Sequence, residues 1–403
     1  MLNARLSGMT DYPFARLAAL LGKTQPAAGR TPLNLAVGEP QSAPPPIVVE
    51  ALARHAGEWG RYPPISGTPE FRAAAAAWLG RRYRLPQGAV DPDRAILPVQ
   101  GTREALFQIA AIAVDPQSSG AAVLVPNPSY ATYAAAGKLA GAEIVPLSGK
   151  RENGFLPDLD ALTPALLQRA SLFYLCTPSN PEGAVADLDY LKRAISLARR
   201  FDFILAVDEC YAEIWDRTPP PGTLEAAAEI GPGENDDPFG NIVVFHSLSK
   251  RSSAAGLRSG FVAGDRRLIA LMERLRTYCS GAPPLPILAA STALWADDAH
   301  VEAARACYRA KTDLAEAALS GWSGFYRPPG GFFLWLETRD GEETALRLWR
   351  EAAIRTLPGA YMSRPDETGA NPGRRFIRLA LVHDTEMLGP ALRRIAELLS
   401  AGD

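Results

Sequence analysis

Short apolar runs alternate with helix-patterned stretches through the middle of the chain. The apolar runs, which predict strands, are 95–99, 121–125, 171–175, 203–207, 241–245 and 260–263. Helical patterns lie between several of them, at 102–114, 187–201 and 266–278. Strands buried on both faces are continuously apolar, and their alternation with helices is typical of a parallel sheet. We therefore predict an α/β fold whose large domain has a mainly parallel sheet flanked by helices, with ligands at the carboxyl ends of the strands.

The pattern changes after about residue 286. A long helical stretch at 288–319, with a bend, precedes strand-like segments at 331–336 and 375–382 and helices at 342–354 and from 384 onward. These features predict a smaller α+β domain. We expect residues 49–285 to form the large domain and residues 1–48 with 286–403 to form the small one. The segment 219–240, rich in Pro, Gly and acidic residues, is interpreted as a long surface loop with one helical turn.

The balance of charge argues against two classes of partner. Lys and Arg number 42 and Asp and Glu number 44, which gives a net charge of −2. The chain therefore has neither the basic footprint of a nucleic-acid-binding protein nor a polybasic membrane patch. No apolar run reaches about 18 residues, the length that a membrane-spanning helix needs. Residues 1–21 include Asp11 and Arg16 within an apolar stretch, which indicates an amphipathic helix rather than a signal peptide.

The cysteines and histidines do not form a metal-binding or disulfide pattern. The four cysteines, at 176, 210, 279 and 307, have no C-x-x-C spacing, and the four histidines are scattered. No zinc site and no disulfide framework is predicted from such spacing. Scattered cysteines in a chain of this length fit a reducing compartment, so we expect a cytoplasmic protein.

Lys250 lies in a polar segment, residues 246–253, directly after a predicted strand. Most lysines in loops are simply solvated, but Ser247 precedes this one by three residues and Arg258 follows it by eight. A partly desolvated amine loses its proton more easily and suits imine chemistry, whereas a guanidinium fork binds phosphate oxygens in pairs. These groups could therefore converge on a phosphate and a carbonyl carbon.

Asp208 follows the apolar run 203–207. A buried carboxylate is costly to ionise unless it is paired, so this residue either caps a loop or helix or pairs with a protonated ring nitrogen. Two unit charges about 4 Å apart attract by roughly 4 kcal/mol at an effective dielectric of 20. That attraction could keep a pyridine ring protonated at neutral pH, the state in which the ring withdraws electrons.

Two other turns follow predicted strands. Gly101-Thr102 opens a predicted helix, whose first N–H groups can bind a phosphate, although the same pair is common as a plain cap. Asn180 lies between two prolines in the turn 177–183, where it is either a turn residue or a fixed hydrogen-bond donor. Spacing alone does not decide between these interpretations.

Taken in order, these motifs resemble those of the class I and II aminotransferases, which are fold-type I pyridoxal-phosphate enzymes. The resemblance covers nearly the whole chain. Its segments are VGEP at 37–40, RYP at 61–63 with Gly67 and Phe71-Arg72, PNPSY at 126–130, NPEG at 180–183, DECY at 208–211, the run 247–258 and FIRL at 376–379. It implies a seven-stranded type of sheet, a small domain built from both chain ends, and pyridoxal 5'-phosphate as the cofactor.

The resemblance also implies roles around the cofactor ring. Lys250 would bind the cofactor as an imine and carry a proton between the substrate and the cofactor. Asp208 would pair with the ring nitrogen. Tyr211 and Asn180 would hydrogen-bond the phenolic oxygen of the ring, and Tyr130 would stack on its face.

Further residues would hold the phosphate and the substrate. The phosphate set that the resemblance implies is Gly101, Thr102, Ser247 and Arg258, with the backbone of Arg103. Tyr62 would reach the phosphate of a partner subunit, which implies a homodimer with shared active sites. Arg378 would bind the α-carboxylate of the substrate, and the Gly38 backbone would close over it. Arg103 replaces a small or amide residue that is common there, so its side chain either points away or contacts the substrate.

Within that family, the sequence is most similar to N-succinyl-LL-diaminopimelate aminotransferases of lysine biosynthesis. The similar strings are DECYAEI at 208–214, SKRS at 249–252, GLRSGF at 256–261, LPGAY at 357–361 and NPG at 371–373. This resemblance implies that glutamate and 2-oxoglutarate are the donor and acceptor pair. The partners would thus be small amino and oxo acids.

Several alternatives remain at the level of sequence. Another amino-acid aminotransferase or a β-lyase would use the same cofactor, since a fold does not fix a function. Arg378 favours substrates that keep their carboxylate and so disfavours decarboxylation. A regulator that senses pyridoxal phosphate would need a DNA-binding domain, for which we expect the first forty residues to lack room. An inactive scaffold is disfavoured by the intact Lys250, Asp208 and Arg258.

Overall fold

The structure is a computed structural model, which describes residues 3–7, 9–118, 120–233, 236–366 and 368–401. Its strands are β1 Leu33–Asn34, β2 Ile96–Val99, β3 Ala122–Asn127, β4 Glu143–Ser148, β5 Ala170–Cys176, β6 Ile204–Asp208, β7 Ile242–Ser247, β8 Gly260–Gly264, β9 Phe333–Glu337, β10 Ile354–Arg355, β11 Leu357–Pro358 and β12 Phe376–Ala380. Its helices are α1 Ala4–Ser7, α2 Pro13–Leu21, α3 Pro46–Arg54, α4 Pro69–Tyr83, α5 Thr102–Ala113, α6 Ala131–Ala140, α7 Pro164–Arg169, α8 Leu188–Phe201, α9 Thr223–Ile230, α10 Leu248–Arg251, α11 Arg266–Cys279, α12 Leu285–Ala296, α13 Ala299–Leu319, α14 Gly341–Ala352 and α15 Thr385–Ser400.

Seven of these strands form one sheet in the order β2-β8-β7-β6-β5-β3-β4. Strand β8 runs antiparallel to both of its neighbours, and the other adjacent pairs are parallel. The carboxyl ends of β3, β5, β6 and β7 therefore meet at one edge. The predicted fold, a mainly parallel seven-stranded sheet flanked by helices, is confirmed.

The side chains of the central strands alternate between two cores. On β6, Val207 packs in the core that contains α4, α8 and α12, whereas Ala206 packs in the core that contains α5 and α11. Successive side chains of a strand point to opposite faces of the sheet. Asp208 and Glu209, which end this strand and begin the next turn, consequently meet different surroundings.

A second sheet has three antiparallel strands in the order β11-β12-β9. It shares a core with α13, α14 and α15. Leu33 and Leu35 lie in that core, and β1 pairs in parallel with β10, so the N-terminal segment joins the C-terminal part of the chain. The division into residues 49–285 and residues 1–48 with 286–403 stays a proposal that this arrangement supports.

Three local interpretations of the sequence were wrong. The stretch 288–319 is two helices, α12 and α13, interrupted at Asp297 and Asp298 rather than merely bent. Residues 1–21 contain two separate helices, α1 and α2, because Pro13 starts the second one. The supposed loop 219–240 contains the helix α9, whose Leu224 and Ala227 are buried against α8.

Strand β4 was not predicted. It lies at the edge of the large sheet, its residues are exposed or only half buried, and it contains Pro146. An edge position tolerates proline because one side of the strand makes no ladder hydrogen bonds, and partial exposure weakens the apolar signal. Edge strands of this kind therefore leave little trace in the sequence.

Within the described ranges, none of the helices is long and apolar enough to cross a membrane. The same residues contain no group of three or more His, Cys, Asp or Glu side chains placed to hold a metal ion. The four cysteines are free thiols.

Candidate active site

A cavity of about 390 Å³ lies at the carboxyl edge of the large sheet. All but two of the predicted site residues line it: Gly38, Thr102, Arg103, Tyr130, Asn180, Asp208, Tyr211, Ser247, Lys250, Arg258 and Arg378. The structure thus brings together residues that are as far apart in sequence as 38 and 378. The two exceptions are Gly101, which lies against Arg258, and Tyr62.

The amine of Lys250 projects into this cavity from the short helix α10. Ser247 caps that helix, and its hydroxyl oxygen accepts a hydrogen bond from the Ser249 N–H at 3.1 Å. The Lys250 Nζ donates to the carbonyl oxygen of Gly38 at 2.6 Å. Burial lowers the pKa of this amine to about 8, and the positive charges of Arg378 and Arg258 lower it as well. Far more of this amine is therefore uncharged near neutral pH than of an ordinary lysine, as proton transfer requires.

Asp208 is buried at the floor of the cavity. Its Oδ2 accepts a hydrogen bond from the Tyr133 hydroxyl at 2.7 Å, and its Oδ1 accepts one from the Cys210 N–H at 3.2 Å. Burial raises the pKa of this carboxyl, and these hydrogen bonds only partly offset the effect. Within the described part of the chain, no Lys or Arg forms an ion pair with it. A cationic ligand group would therefore be stabilised here.

On the other face of the sheet, Glu209 is enclosed by protein groups. It accepts hydrogen bonds from the Tyr83 hydroxyl at 2.8 Å and from the N–H and hydroxyl of Thr223 at 2.8 and 2.7 Å. The Nε2 atom of His246 lies 3.2 Å from its Oε2, although the angle is poor for a hydrogen bond. This network ties strands β6 and β7 to helices α4 and α9, and it has no opening toward the cavity.

A cradle for an anion lies at the start of helix α5. Gly101 has a φ of +79° and precedes the first turn, whose N–H groups have no partner within the helix. A Cβ atom at this glycine would lie 2.2 Å from an Nη atom of Arg258. The Arg258 guanidinium itself donates to the Ala255 carbonyl at 3.0 Å. The close approach of helix and guanidinium is typical of a phosphate site.

Arg378 is buried beside Asn180 and Tyr211. Its guanidinium donates to the Asn180 Oδ1 at 2.8 Å and to the Ala36 carbonyl at 2.6 Å, and its Nε has no partner in the described structure. It lies over the ring of Phe333, 4.3 Å from the ring centre. Burial lowers the pKa of this arginine to about 10, although it remains a cation at neutral pH.

The N-terminal segment 36–38 covers the cleft. Its carbonyl groups at Ala36 and Gly38 accept the hydrogen bonds from Arg378 and Lys250 described above. A Cβ atom at Gly38 would lie 2.4 Å from the Phe333 ring, so a larger residue would push this segment away. The glycine therefore allows the backbone to lie directly over both cations.

Arg103 points toward the mouth of the cavity rather than away from it. Its Nε donates to the hydroxyl of Tyr130, and Tyr12 lines the cavity next to this pair. No carboxylate in the described ranges forms an ion pair with its guanidinium. The structure thus places the side chain where it can contact a substrate.

Tyr62 does not reach the cavity of its own chain. Its side chain is fully exposed, with a relative accessibility of 101%. The exposed ring of Trp59 lies three residues before it in the sequence. Its role toward a partner subunit stays a prediction.

Arg251, the residue after the candidate catalytic lysine, is buried away from the cavity, against helix α12. Its guanidinium donates to the Leu294 carbonyl at 2.7 Å, to the Asp297 carbonyl at 3.1 Å and to the Asp298 carboxylate at 2.8 Å. It also lies 5.0 Å from the ring centre of Trp295. The Lys250 turn is thereby attached to the junction between α12 and α13.

Some lining residues were missed by sequence reasoning. Tyr133 follows Tyr130 by one helical turn on α6, but its partner Asp208 is 75 residues further along the chain. Cys210 occupies the variable position of the DECY string, and its Sγ lies 3.1 Å from the Thr102 hydroxyl. The only sequence signal for either residue was its proximity to a predicted motif.

Comparison with known proteins agrees with this geometry. Residues 30–395 match the family described as aminotransferase class I and II. The chain is 34% identical to the 4-dedimethylamino-4-oxo-anhydrotetracycline transaminase OxyQ of Streptomyces rimosus, over 90% of this chain and 92% of that protein. It is 29% identical to an LL-diaminopimelate aminotransferase of Dehalococcoides mccartyi, over 99% of each.

Solved structures show the same likeness. An aminotransferase from Neisseria meningitidis superposes with a TM-score of 0.93 and 37% identity, covering 99% of this chain and 100% of that one. A probable N-succinyldiaminopimelate aminotransferase from Thermus thermophilus superposes with a TM-score of 0.81 and 26% identity, covering 96% and 100%. The chain belongs to the class I and II aminotransferases, a family of pyridoxal-phosphate-dependent enzymes.

Proposed function

We propose that this aminotransferase acts on N-succinyl-LL-2,6-diaminopimelate and uses 2-oxoglutarate as the amino acceptor. The observation that carries transamination is the meeting of three groups in one cavity: the Lys250 amine with its pKa of about 8, the buried Asp208 carboxylate and the buried Arg378 guanidinium. The substrate is supported by the strings at 208–214 and 249–252 and by the likeness to the Thermus protein. The relatives named for LL-diaminopimelate make that unsuccinylated amine the nearest alternative.

The cavity fits pyridoxal phosphate at both ends. Asp208 is a buried carboxylate without a cation, and a protonated ring nitrogen would supply one. The start of α5, with Ser247 and Arg258 beside it, offers N–H, hydroxyl and guanidinium donors for a phosphate. When bound, the cofactor supplies an electron sink for the substrate α-carbon. Tyr130 and Tyr211 line the space between and would contact the ring.

The side chains then divide the work of proton transfer. Arg378 would bind the substrate α-carboxylate and orient the α-carbon toward Lys250. As a neutral amine Lys250 would accept the α-proton, and as an ammonium group it would return the proton. A pKa near neutral pH favours both directions. Asp208 would remain ionised and keep a proton on the ring nitrogen.

In the cofactor-free chain the carbonyl groups of the 36–38 segment hold both cations in place. An imine to the cofactor would replace the hydrogen bond at Lys250 and leave the one at Arg378. A substrate carboxylate that binds Arg378 would compete with the Ala36 carbonyl for the same guanidinium. We therefore propose that Gly38 and its neighbours shift when substrate binds and then close over it. Closure would exclude water from the reacting carbon.

We further propose a homodimer with shared active sites, in which Tyr62 reaches the phosphate site of the partner. The exposed aromatic side chains Trp59, Tyr62 and Tyr278 support this proposal, because aromatic side chains are enriched at protein interfaces. Sedimentation analysis of the purified protein tests the dimer. A Tyr62→Phe variant with unchanged retention of the cofactor would argue against the role of the hydroxyl.

A panel of amines tests the function. Glutamate formation from 2-oxoglutarate is measured with N-succinyl-LL-diaminopimelate, LL-diaminopimelate, aspartate, phenylalanine and N-acetylornithine, with the Lys250→Ala variant as the blank. We expect the succinylated amine to be used most efficiently. A preference for LL-diaminopimelate would transfer the assignment to that amine. Release of ammonia, an oxo acid and a thiol from a β-thioether amino acid such as cystathionine, without any need for 2-oxoglutarate, would support a β-lyase instead.

A further inference from the structure

A second cavity, of about 900 Å³, opens beside the candidate active site. The two cavities share six lining residues: Tyr12, Pro13, Arg103, Ser129, Ala131 and Met362. Arg378 lines only the first cavity, whereas Arg16 and Arg364 line only the second. A molecule held at Arg378 can therefore extend past Arg103 into the second space.

The arginines of this second cavity lack acidic partners. No carboxylate in the described ranges forms an ion pair with Arg16, Arg103 or Arg364. The lining also includes Asp11 and Glu104, but Glu104 is engaged by Arg276. The three guanidinium groups of Arg16, Arg103 and Arg364 therefore carry positive charge that no carboxylate in the described ranges pairs with.

The backbone of Arg364 is held by hydrogen bonds, whereas its guanidinium has no hydrogen-bond partner among the described residues. Its N–H donates to the Oδ1 of buried Asn127 at 2.8 Å, and the Nδ2 of Asn127 donates back to its carbonyl at 3.0 Å. The Ser129 N–H donates to the Met362 carbonyl at 3.0 Å, which holds the same loop against the large sheet. The guanidinium is half buried and makes no hydrogen bond to any described residue. Burial lowers its pKa, and an anion would offset the cost of that burial.

We infer that this second cavity binds the far end of the substrate, where Arg364 and Arg103 bind carboxylates, so that the enzyme selects amino acids with a long, anionic side chain. The inference rests on the proposed transamination and deepens it. A guanidinium fork matches a carboxylate in two parallel hydrogen bonds. Arg103, at the boundary, would serve short and long diacids alike, whereas Arg364 would serve only long ones. The far half of N-succinyl-diaminopimelate carries two carboxylates and meets this requirement.

The test compares two amines of equal length with and without a far carboxylate. L-2-aminopimelate and L-2-aminoheptanoate are each mixed with the holoenzyme, and kcat/KM for the first half-reaction is measured from the absorbance of the cofactor. The charge preference is the ratio of the two values. We expect wild type to prefer aminopimelate and Arg364→Gln to lower the charge preference about tenfold. Arg355→Gln, which changes an arginine outside both cavities, is the matched control and should keep the wild-type ratio.

Binding gives a readout that does not depend on turnover. Calorimetric titration of the holoenzyme with pimelate should show a dissociation constant about tenfold higher for Arg364→Gln than for wild type or Arg355→Gln. The inference is overturned if Arg364→Gln keeps the wild-type charge preference, or if it reduces both amines equally.

The same measurements distinguish an error in the proposed substrate from an error in the proposed subsite. If N-succinyl-LL-diaminopimelate is not turned over but aminopimelate is preferred through Arg364, the subsite stands and the named substrate does not. If the succinylated amine is used by wild type and Arg364→Gln with equal kcat/KM, the subsite assignment alone is wrong. If no amine changes the cofactor absorbance, the proposed transamination itself fails.

Discussion

Asp208 and Glu209 are neighbours in sequence, and both carboxylates are buried. They lie on opposite faces of the large sheet and differ in how fully the protein satisfies them. Glu209 receives three hydrogen bonds and lies next to His246, so protein groups satisfy it on every side. Asp208 receives hydrogen bonds from Tyr133 and Cys210 but no cation. Glu209 is therefore satisfied by protein groups, whereas Asp208 can still pair with a cationic group of a ligand.

The two pKa shifts express the same difference. Burial raises the pKa of Asp208, because its few hydrogen bonds do not compensate for desolvation. Burial acts on Glu209 as well, but the contact with His246 and the hydrogen bonds from Thr223 lower its pKa overall. Incomplete neutralisation of a buried charge is therefore a better guide to a binding site than burial alone.

The sharpest test removes the charge of Asp208 without changing its shape. We expect Asp208→Asn to lower the rate of the first half-reaction about 1,000-fold, since roughly 4 kcal/mol of attraction to the ring nitrogen would be lost. Stopped-flow absorbance with the purified variant measures this rate. Its melting temperature should stay near that of wild type. A rate within threefold of wild type would contradict the pairing of Asp208 with the ring nitrogen.

On the opposite face we expect the reverse pattern. Glu209→Ala should lower the free energy of unfolding by about 3 to 5 kcal/mol, because it leaves the partners of a buried charge unsatisfied. Urea denaturation measures this loss. Thr223→Val, which removes only one of the hydrogen bonds, should cost about 1 kcal/mol. Equal stability of Glu209→Ala and wild type would show that this network is not structural.

A third test asks whether the buried Lys250 amine lowers the stability of the fold. Burial holds the pKa of Lys250 at about 8, below its ordinary value of 10.5, so the folded state resists protonation of the amine. This cost is complete below pH 8 and disappears as the pH rises toward 10.5.

We therefore expect Lys250→Met to raise the free energy of unfolding of the cofactor-free protein at pH 7 by about 1 to 3 kcal/mol. The gain should shrink toward zero by pH 10.5. Urea denaturation at both pH values measures it, with Lys23→Met, an exposed lysine, as the control. A gain that does not depend on pH would mean that desolvation of the amine is not its cause.

The smallest expected effect concerns Gly101. In Gly101→Ala the added Cβ would collide with Arg258, and the φ of +79° disfavours any side chain. We expect the dissociation constant of pyridoxal phosphate to rise about tenfold, as measured by fluorescence titration. Gly57→Ala, where a Cβ meets nothing within 4 Å, should bind the cofactor like wild type. Equal affinities of Gly101→Ala and wild type for pyridoxal phosphate would show that Arg258 can move aside without loss of binding.

Part of this site could be predicted from the sequence. Asp208, Ser247 and Lys250 follow apolar strands, so their place at one edge could be predicted from the strand order alone. Tyr133 could not, because the Asp208 carboxylate that accepts its hydrogen bond lies 75 residues further along the chain, on another element. The interruption at Asp297 and the helix α9 were also missed, and both contact distant residues: Arg251 binds the junction at 297 and 298, and Leu224 packs in the core that contains α8.

The attachment of Arg251 to the junction of α12 and α13 has a mechanical consequence. Helix α12 packs in a core of the large sheet, whereas α13 contributes Tyr308 to a core of the large sheet and Ala315 and Leu319 to the core of the small one. A rotation of one helix relative to the other would strain the hydrogen bonds from Arg251 to 297 and 298, and Arg251 is bonded directly to Lys250 along the chain. The position of the Lys250 amine is therefore coupled to the relative orientation of α12 and α13.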